Sequence, residues 1–318
     1  MTPPAQSLQQ TIAGLHFQNP VVLAAGTAAY GRELADIIRL DRLGGIVTKA
    51  VSPEARQGNA SPRVGEFEGG MINAVGLANP GLDAVCEQHL PWLATSLPGV
   101  RKIANVVGFA ADEFARVVRG LEAAMAVSRQ QDALDAYEIN VSCPNVKAGG
   151  TEFGADFGTL RDVVRSVRSV TQRPLWVKLS PALPDIGRSA AVAVDAGADA
   201  ITLVNTLPGL VIDVDRRAPA VGFGSGGISG AAIRPIGVLA TWKVRKAVNV
   251  PLLGIGGVGS ARDALEYMLA GASLVGVGTA MLRDPRAPER IVRELGQWCD
   301  ANGVAHIGEI VGTLNYPA

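Results

Sequence analysis

A thiol flanked by two carboxamides stands in the stretch Tyr137-Glu138-Ile139-Asn140-Val141-Ser142-Cys143-Pro144-Asn145. Carboxamides donate and accept together, so Asn140 and Asn145 suit a neutral, imide-like ring. Cys143 can serve as a nucleophile, as a general base, or as a buried apolar group without chemistry. The surrounding pattern places it. Tyr137, Ile139 and Val141 alternate with Glu138 and Asn140, as in a strand, and Pro144 with Asn145 turns that strand into a loop. His16, His89 and His306 fall away from strand ends, which argues against acid–base work by histidine and for the thiol.

Other polar residues follow apolar runs in the same way. Strands are expected over 20–25, 45–48, 103–107, 136–140, 175–179, 200–204, 252–255 and 274–277. Their ends carry Lys49, Asn105, Asn140, Lys178, Asn205-Thr206, Gly256-Gly257 and Gly278-Thr279. Helices are expected between them over 33–40, 82–97 with a break near Pro91, 112–127, 160–170, 186–196, 235–247 and 261–270, and one over 289–301 closes the chain. The runs are continuously apolar, as parallel strands covered on both faces must be. Residues 52–80 read as a long stretch with little periodicity, a usual sign of function, and 207–230 as a long insertion. The fold expected is α/β, a (β/α)8 TIM barrel with long active-site insertions forming one domain over 1–318; a doubly wound sheet is the second reading.

In such barrels chemistry sits at the C-terminal strand ends. Side-chain parity adds a detail: Asn140 facing inward takes Glu138 inward as well. A buried carboxylate needs a partner, and Lys178 or Lys49 is the choice, as a structural ion pair beneath the site. Gly254-Ile255-Gly256-Gly257-Val258-Gly259 has dinucleotide-fingerprint spacing, but it lies on the penultimate strand and lacks an acidic residue about 20 positions on. Paired with Gly278-Thr279 it reads better as a phosphate cradle of backbone N–H groups.

The composition sets limits. The 318 residues are 48% hydrophobic and 18% charged, with a net charge of +0 and no like-charge block, so neither nucleic acid nor a membrane surface is an expected partner. No signal segment and no spanning apolar run is visible. The 3 cysteines lack metal-ligand spacing and are too few to hold an iron–sulfur cluster alone, so a reduced, cytoplasmic protein without a metal is expected.

Several segments in the same order resemble the class 1 dihydroorotate dehydrogenases over nearly the whole chain. Asn140-Val141-Ser142-Cys143-Pro144-Asn145 is similar to the family's catalytic loop, and Asn73-Ala74-Val75-Gly76-Leu77 to its substrate loop. Thr48-Lys49, Val204-Asn205-Thr206, Gly256-Gly257 and Gly278-Thr279 match further binding segments. Val146-Lys147-Ala148-Gly149-Gly150 with Phe153-Gly154, and Gly226-Gly227-Ile228-Ser229-Gly230, resemble subclass 1B. The resemblance implies FMN-dependent oxidation of (S)-dihydroorotate to orotate in pyrimidine synthesis. Cys143 would remove the C5 proton while the C6 hydride passes to flavin N5. It implies substrate contacts from Lys49, Asn73, Ala74, Val75, Gly76, Leu77, Asn140, Asn145, Asn205 and Thr206. FMN contacts would come from Ala25, Lys49, Ala50, Asn105, Asn140, Lys178, Val204, Gly230, Gly256, Gly257, Gly278 and Thr279. It further implies a homodimeric core bound to an electron-transfer subunit that carries FAD, a [2Fe-2S] cluster and the NAD site, together a heterotetramer. Where the family usually has Ser in the loop after the first strand, this chain has Ala25, which removes a hydroxyl from the flavin's surroundings.

Competing readings are a class 1A fumarate-dependent enzyme, against which Gly149-Gly150 speaks, and a uracil or thymine reductase, whose substrates would leave Lys49 without an anion. Two more distant readings are a sugar-phosphate lyase or isomerase using Lys178 as a Schiff base, and a silent flavin-binding subunit.

Overall fold

The computed structural model describes residues 6–142, 144–145 and 151–317. Cys143 and the segment 146–150, both singled out above, lie outside the described residues, and for Asn145 only the backbone is described.

Eight parallel strands close into a barrel. They are β1 (Val21–Leu23), β2 (Gly45–Val47), β3 (Arg101–Val106), β4 (Ala136–Asn140), β5 (Leu175–Leu179), β6 (Ala200–Leu203), β7 (Leu252–Ile255) and β8 (Leu274–Val277). Each strand pairs with its sequence neighbours, and β8 returns to β1. The strands are buried along nearly their whole length, because the barrel interior covers one face and the helices the other. Helices Ala111–Ser128, Phe157–Arg168, Ile186–Asp195, Arg234–Ala247, Ala261–Ala270 and Ala287–Asn302 form much of that outer layer. Asp156, Asp185 and Ser260 cap three of them by accepting a backbone N–H three residues on.

Inside the barrel, Val22, Val47, Ile103, Ala136, Trp176, Ala200, Leu253 and Leu274 form an apolar cluster. An N-terminal hairpin, Gln10–Ile12 against Leu15–Phe17, turns on Ala13 and Gly14 at φ 49° and 78° and closes this end. Its Ile12 and Phe17 join the cluster, with the Phe17 ring 6.3 Å from that of Trp176.

Two sequence expectations are corrected, and the interruption expected near Pro91 is found. Residues 33–40 form no helix; short 3-10 turns, Arg32–Leu34 and Leu40–Arg42, replace it. Ala29 and Gly31 enter that segment at positive φ, and the turns close on bonds three residues back, too few to repay helix nucleation. The break near Pro91 is a wide π turn, Val85–His89, between helical Leu82–Ala84 and Leu90–Ser96; it lies one turn ahead of a proline that has no N–H to give back. The two insertions contain regular structure. Leu207–Gly209, Gly226–Ser229, Gly70–Asn73 and Val64–Phe67 pair in that order as a four-stranded antiparallel sheet.

Candidate active site

Two positions beyond the apolar cluster, the inward residues turn polar. Asn105, Glu138, Lys178 and Thr202 follow Ile103, Ala136, Trp176 and Ala200 on adjacent strands, and all four are buried. Glu138 Oε1 accepts from Asn105 Nδ2 at 2.7 Å and lies 3.7 Å from Lys178 Nζ. The partner of the buried carboxylate is therefore Lys178, and Lys49 is excluded from that role. Lys49 sits past β2, held through its backbone N–H to Ala29 O at 2.7 Å. Its side chain is half-buried, and among the described residues no carboxylate pairs with it.

Above this layer stands Asn140, at the end of β4. Its Oδ1 accepts from Ser142 N at 3.2 Å and from Asn205 Nδ2 at 3.1 Å. With the oxygen engaged twice, the amide nitrogen is the group left to donate. Asn205 is fixed in turn, because its Oδ1 accepts from Thr206 N at 2.8 Å. Val204 is buried and bonds through its N–H to Ile255 O at 3.1 Å, which ties the end of β6 to β7. The backbone of Pro144–Asn145 pairs with Thr151–Glu152 just beyond β4.

The four-stranded sheet brings in Asn73, whose Nδ2 donates to Gly227 O at 3.1 Å. A Cβ at Gly227 would collide with Thr206 Oγ1, so glycine is what lets this sheet rest on the end of β6. Ala74 and Val75 are held from the neighbouring segment: Asn59 Nδ2 donates to Ala74 O at 3.0 Å and Asn59 N to Val75 O at 3.1 Å. Gly76 and Leu77 continue at positive φ.

On the far side, Gly230, Gly256-Gly257 and Gly278-Thr279 converge. A Cβ at Gly257 would lie 2.8 Å from Gly230 O, and Thr279 Oγ1 donates to Ser229 Oγ at 2.8 Å. Tyr267 OH braces the end of β7 on Ile255 O and Gly256 O at 3.0 and 2.8 Å. Ala25 packs against the inner cluster, and Ala50 O accepts from Tyr30 OH at 3.2 Å. Burial holds the Tyr30 and Tyr267 phenols well above their ordinary range, so both act as neutral donors.

The sequence-expected residues with described side chains thus gather at one barrel mouth. Three others were not singled out individually. Ser229 and Thr202 gave no signal of their own, although parity from Lys178 finds Thr202. Glu152 is half-buried with its carboxyl raised, mainly by desolvation and opposed by a 3.3 Å bond from Ser180 Oγ. His89 stacks on Tyr30 at 3.9 Å, away from the strand ends. Among the described residues no group of His, Cys, Asp and Glu could hold a metal ion, and no helix is long and apolar enough to cross a membrane.

Known proteins resemble the chain over this whole framework. The family model described as dihydroorotate dehydrogenase matches residues 7–298. A protein of Desulforudis audaxviator, named dihydroorotate dehydrogenase B (NAD(+)), catalytic subunit, is 46% identical over 304 residues, covering 96% of each chain. Proteins of the same name from Geobacter sp. strain M21 and Trichlorobacter lovleyi are 44% and 43% identical, covering 95% and 98% of this chain and 96% and 99% of their own. A crystal structure of DHODH in complex with ferulenol from Eimeria tenella superposes with a TM-score of 0.80 at 22% identity, covering 100% of this chain and 91% of that one, a likeness of fold.

Proposed function

Because the chain belongs to the dihydroorotate dehydrogenase family, we propose that it oxidises (S)-dihydroorotate to orotate in pyrimidine synthesis. FMN is its bound oxidant, and NAD, reached through a partner subunit, is the final acceptor. The observation that carries this reading is the pair of ammonium groups at the mouth. Lys178 is paired from beneath by Glu138, while Lys49 has no carboxylate among the described residues and is available for a ligand's own. A carboxylate substrate uses Lys49; uracil or thymine would not. The NAD(+) in the relatives' names speaks against the fumarate reading.

The residues present fit FMN. Lys178 and Asn105 offer a cation and a carboxamide to a ring. Gly230, Gly256, Gly257, Gly278 and Thr279 offer a backbone cradle to a phosphate. Beneath the ring's place Thr202 Oγ1 and Glu138 Oε2 are buried without a partner among the described residues, as polar atoms facing a bound polar ring would be. Ala25, Ala50 and Val204 line the approach. Bound FMN supplies the two-electron acceptor for the hydride from C6 of the substrate.

The chain's own groups do the rest. Lys49 pairs with the substrate carboxylate. Asn140 donates through the amide nitrogen that Ser142 and Asn205 leave free. Asn73, Asn145, Asn205 and Thr206 complete the ring contacts, with Ala74 to Leu77 closing over them. Cys143, three residues after Asn140 in the sequence, takes the C5 proton; a thiol with an ordinary pKa of about 8.5 is a competent base once its surroundings favour the thiolate. The sheet carrying Asn73 and Gly227 keeps water from this side.

The chain acts as one domain over 1–318, in the cytoplasm. It forms the homodimeric core of a heterotetramer whose other subunit carries FAD and a [2Fe-2S] cluster; the words "catalytic subunit" in the relatives' names support such a partner. The test is anaerobic titration of the purified, yellow chain with dihydroorotate. Bleaching of the flavin is expected, followed by electron transfer to artificial dyes and little or none to NAD. A colourless chain that binds no flavin would remove the FMN reading, and rapid NADH formation without an added subunit would remove the two-subunit one.

A further inference from the structure

We propose that Glu138 is a positioning residue for the flavin, fixing which end of the Asn105 carboxamide and which groups of Lys178 face the ring. The assignment rests on the reading above that FMN lies over this layer.

An ion pair that only stabilised the barrel would need no more than opposite charges at short range. This one has a more particular shape. Glu138 is fully buried, and a carboxylate only accepts, so Asn105 must present Nδ2 to it, at 2.7 Å. The other end of that carboxamide, Oδ1, is thereby turned away from Glu138 and receives no hydrogen bond among the described residues. The Asn105 backbone is held separately, its N–H donating to Thr48 Oγ1 at 3.3 Å, so the carboxylate alone decides which end of the carboxamide faces it. Lys178 Nζ, at 3.7 Å from the same carboxylate oxygen, is held by charge at more than hydrogen-bond length, so its donors are not used up.

The rest of the layer is equally incomplete. Glu138 Oε2 and Thr202 Oγ1 are both buried and have no partner among the described residues. Buried networks that serve stability alone are normally satisfied throughout. Here one carboxylate organises an acceptor, Asn105 Oδ1, beside a cation, Lys178. That pair complements a ring edge with an N–H next to an electron-rich C=O and N, which is what the pyrimidine side of a flavin offers. Glu138 touches neither ring nor substrate in this account and acts through its two neighbours.

The experiment compares the wild-type holoenzyme with Glu138→Gln and Glu138→Asp, reading the two-electron midpoint potential and the rate of FMN release. Gln keeps the size but removes the charge and can present either end to Asn105. The reduced, anionic ring then loses a neighbouring negative charge while keeping Lys178, so the potential moves to a more positive value. FMN release quickens about tenfold, the scale of one hydrogen bond to a charged group. Asp keeps the charge but falls one methylene short of Asn105; its potential stays near that of the wild type while release still quickens. An unchanged or more negative potential in Glu138→Gln, with release unchanged, would reduce Glu138 to a structural ion. Should Glu138→Gln not fold, Glu138→Asp decides alone, and wild-type release from it would overturn the assignment. A wild-type chain without flavin would instead defeat the function reading, a result separate from either variant arm.

Discussion

The lower and upper halves of the barrel interior are lined by the same strands at the same parity, yet their chemistry is opposite. On β3 to β6 the lower positions are Ile103, Ala136, Trp176 and Ala200; two residues on, the upper ones are Asn105, Glu138, Lys178 and Thr202. Two residues are about 6.6 Å along a strand, so the change from packing to chemistry takes one step of the pleat. The lower half is closed by Phe17 and Ile12 of the N-terminal hairpin, while the upper half carries the buried polar layer beneath the strand-end residues. β7 and β8 differ again: their ends are glycines, which bring backbone rather than side chains to the mouth. Stability and function are thus separated along the barrel axis and, within the mouth, around it.

That separation can be broken most directly at Cys143. Cys143→Ala should lower flavin reduction by dihydroorotate about 10²–10⁴-fold, the worth of a positioned base, with FMN content and melting temperature unchanged. Near-normal reduction in stopped-flow traces would sink the base assignment. The converse change is Trp176→Ala, in the lower half. It should cost about 3–5 kcal/mol in denaturant unfolding, while turnover per folded molecule stays that of the wild type. If it damaged turnover more than stability, the two halves would not be separable. A smaller effect is expected from Asn205→Ala, which frees Asn140 Oδ1 from one of its two donors. A loss of about 1 kcal/mol should appear as a several-fold drop in kcat/KM with little change in unfolding.

The smallest effect concerns Glu152, where burial raises the carboxyl and the Ser180 hydroxyl opposes it less strongly. The folded chain then holds this proton more tightly than the unfolded chain. The stabilising contribution is complete below the unfolded value and is lost as pH rises through the folded one. Glu152→Gln should therefore raise the melting temperature near pH 8 and leave it unchanged near pH 4. A gain only at the acid end would contradict the sign.

The barrel was legible because parallel strands write themselves as continuous apolar runs; the expectations for 136–140, 175–179, 252–255 and 274–277 match the strands to the residue. Parity turned Glu138 inward, and a buried carboxylate's need for a partner pointed to Lys178 or Lys49, of which Lys178 is the one found. The sheet over the mouth was not legible. Gly-Met-Ile-Asn at 70–73 and Gly-Gly-Ile-Ser at 226–229 show no alternation, and their pairing is set by each other, not by local pattern. The N-terminal hairpin hid for another reason: its turn rests on Ala13 at positive φ, a position where the usual cue would be Asn or Gly. The helix expected over 33–40 failed because its periodicity was outweighed by the positive-φ residues that open the segment.

The sheet over the mouth has a consequence for how the molecule assembles. Asn73 and Gly227, which meet in it, are 154 residues apart in sequence. Closing a loop of that length is entropically unfavourable until the barrel has already brought its ends together, and contacts of such range form slowly. During synthesis the first of these strands waits through β3 to β6 for its partner. Ordering of this sheet therefore belongs among the last events of folding, and a chain stopped before Gly226 would have most of its barrel strands but would lack the strand that joins Leu207–Gly209 to Gly70–Asn73.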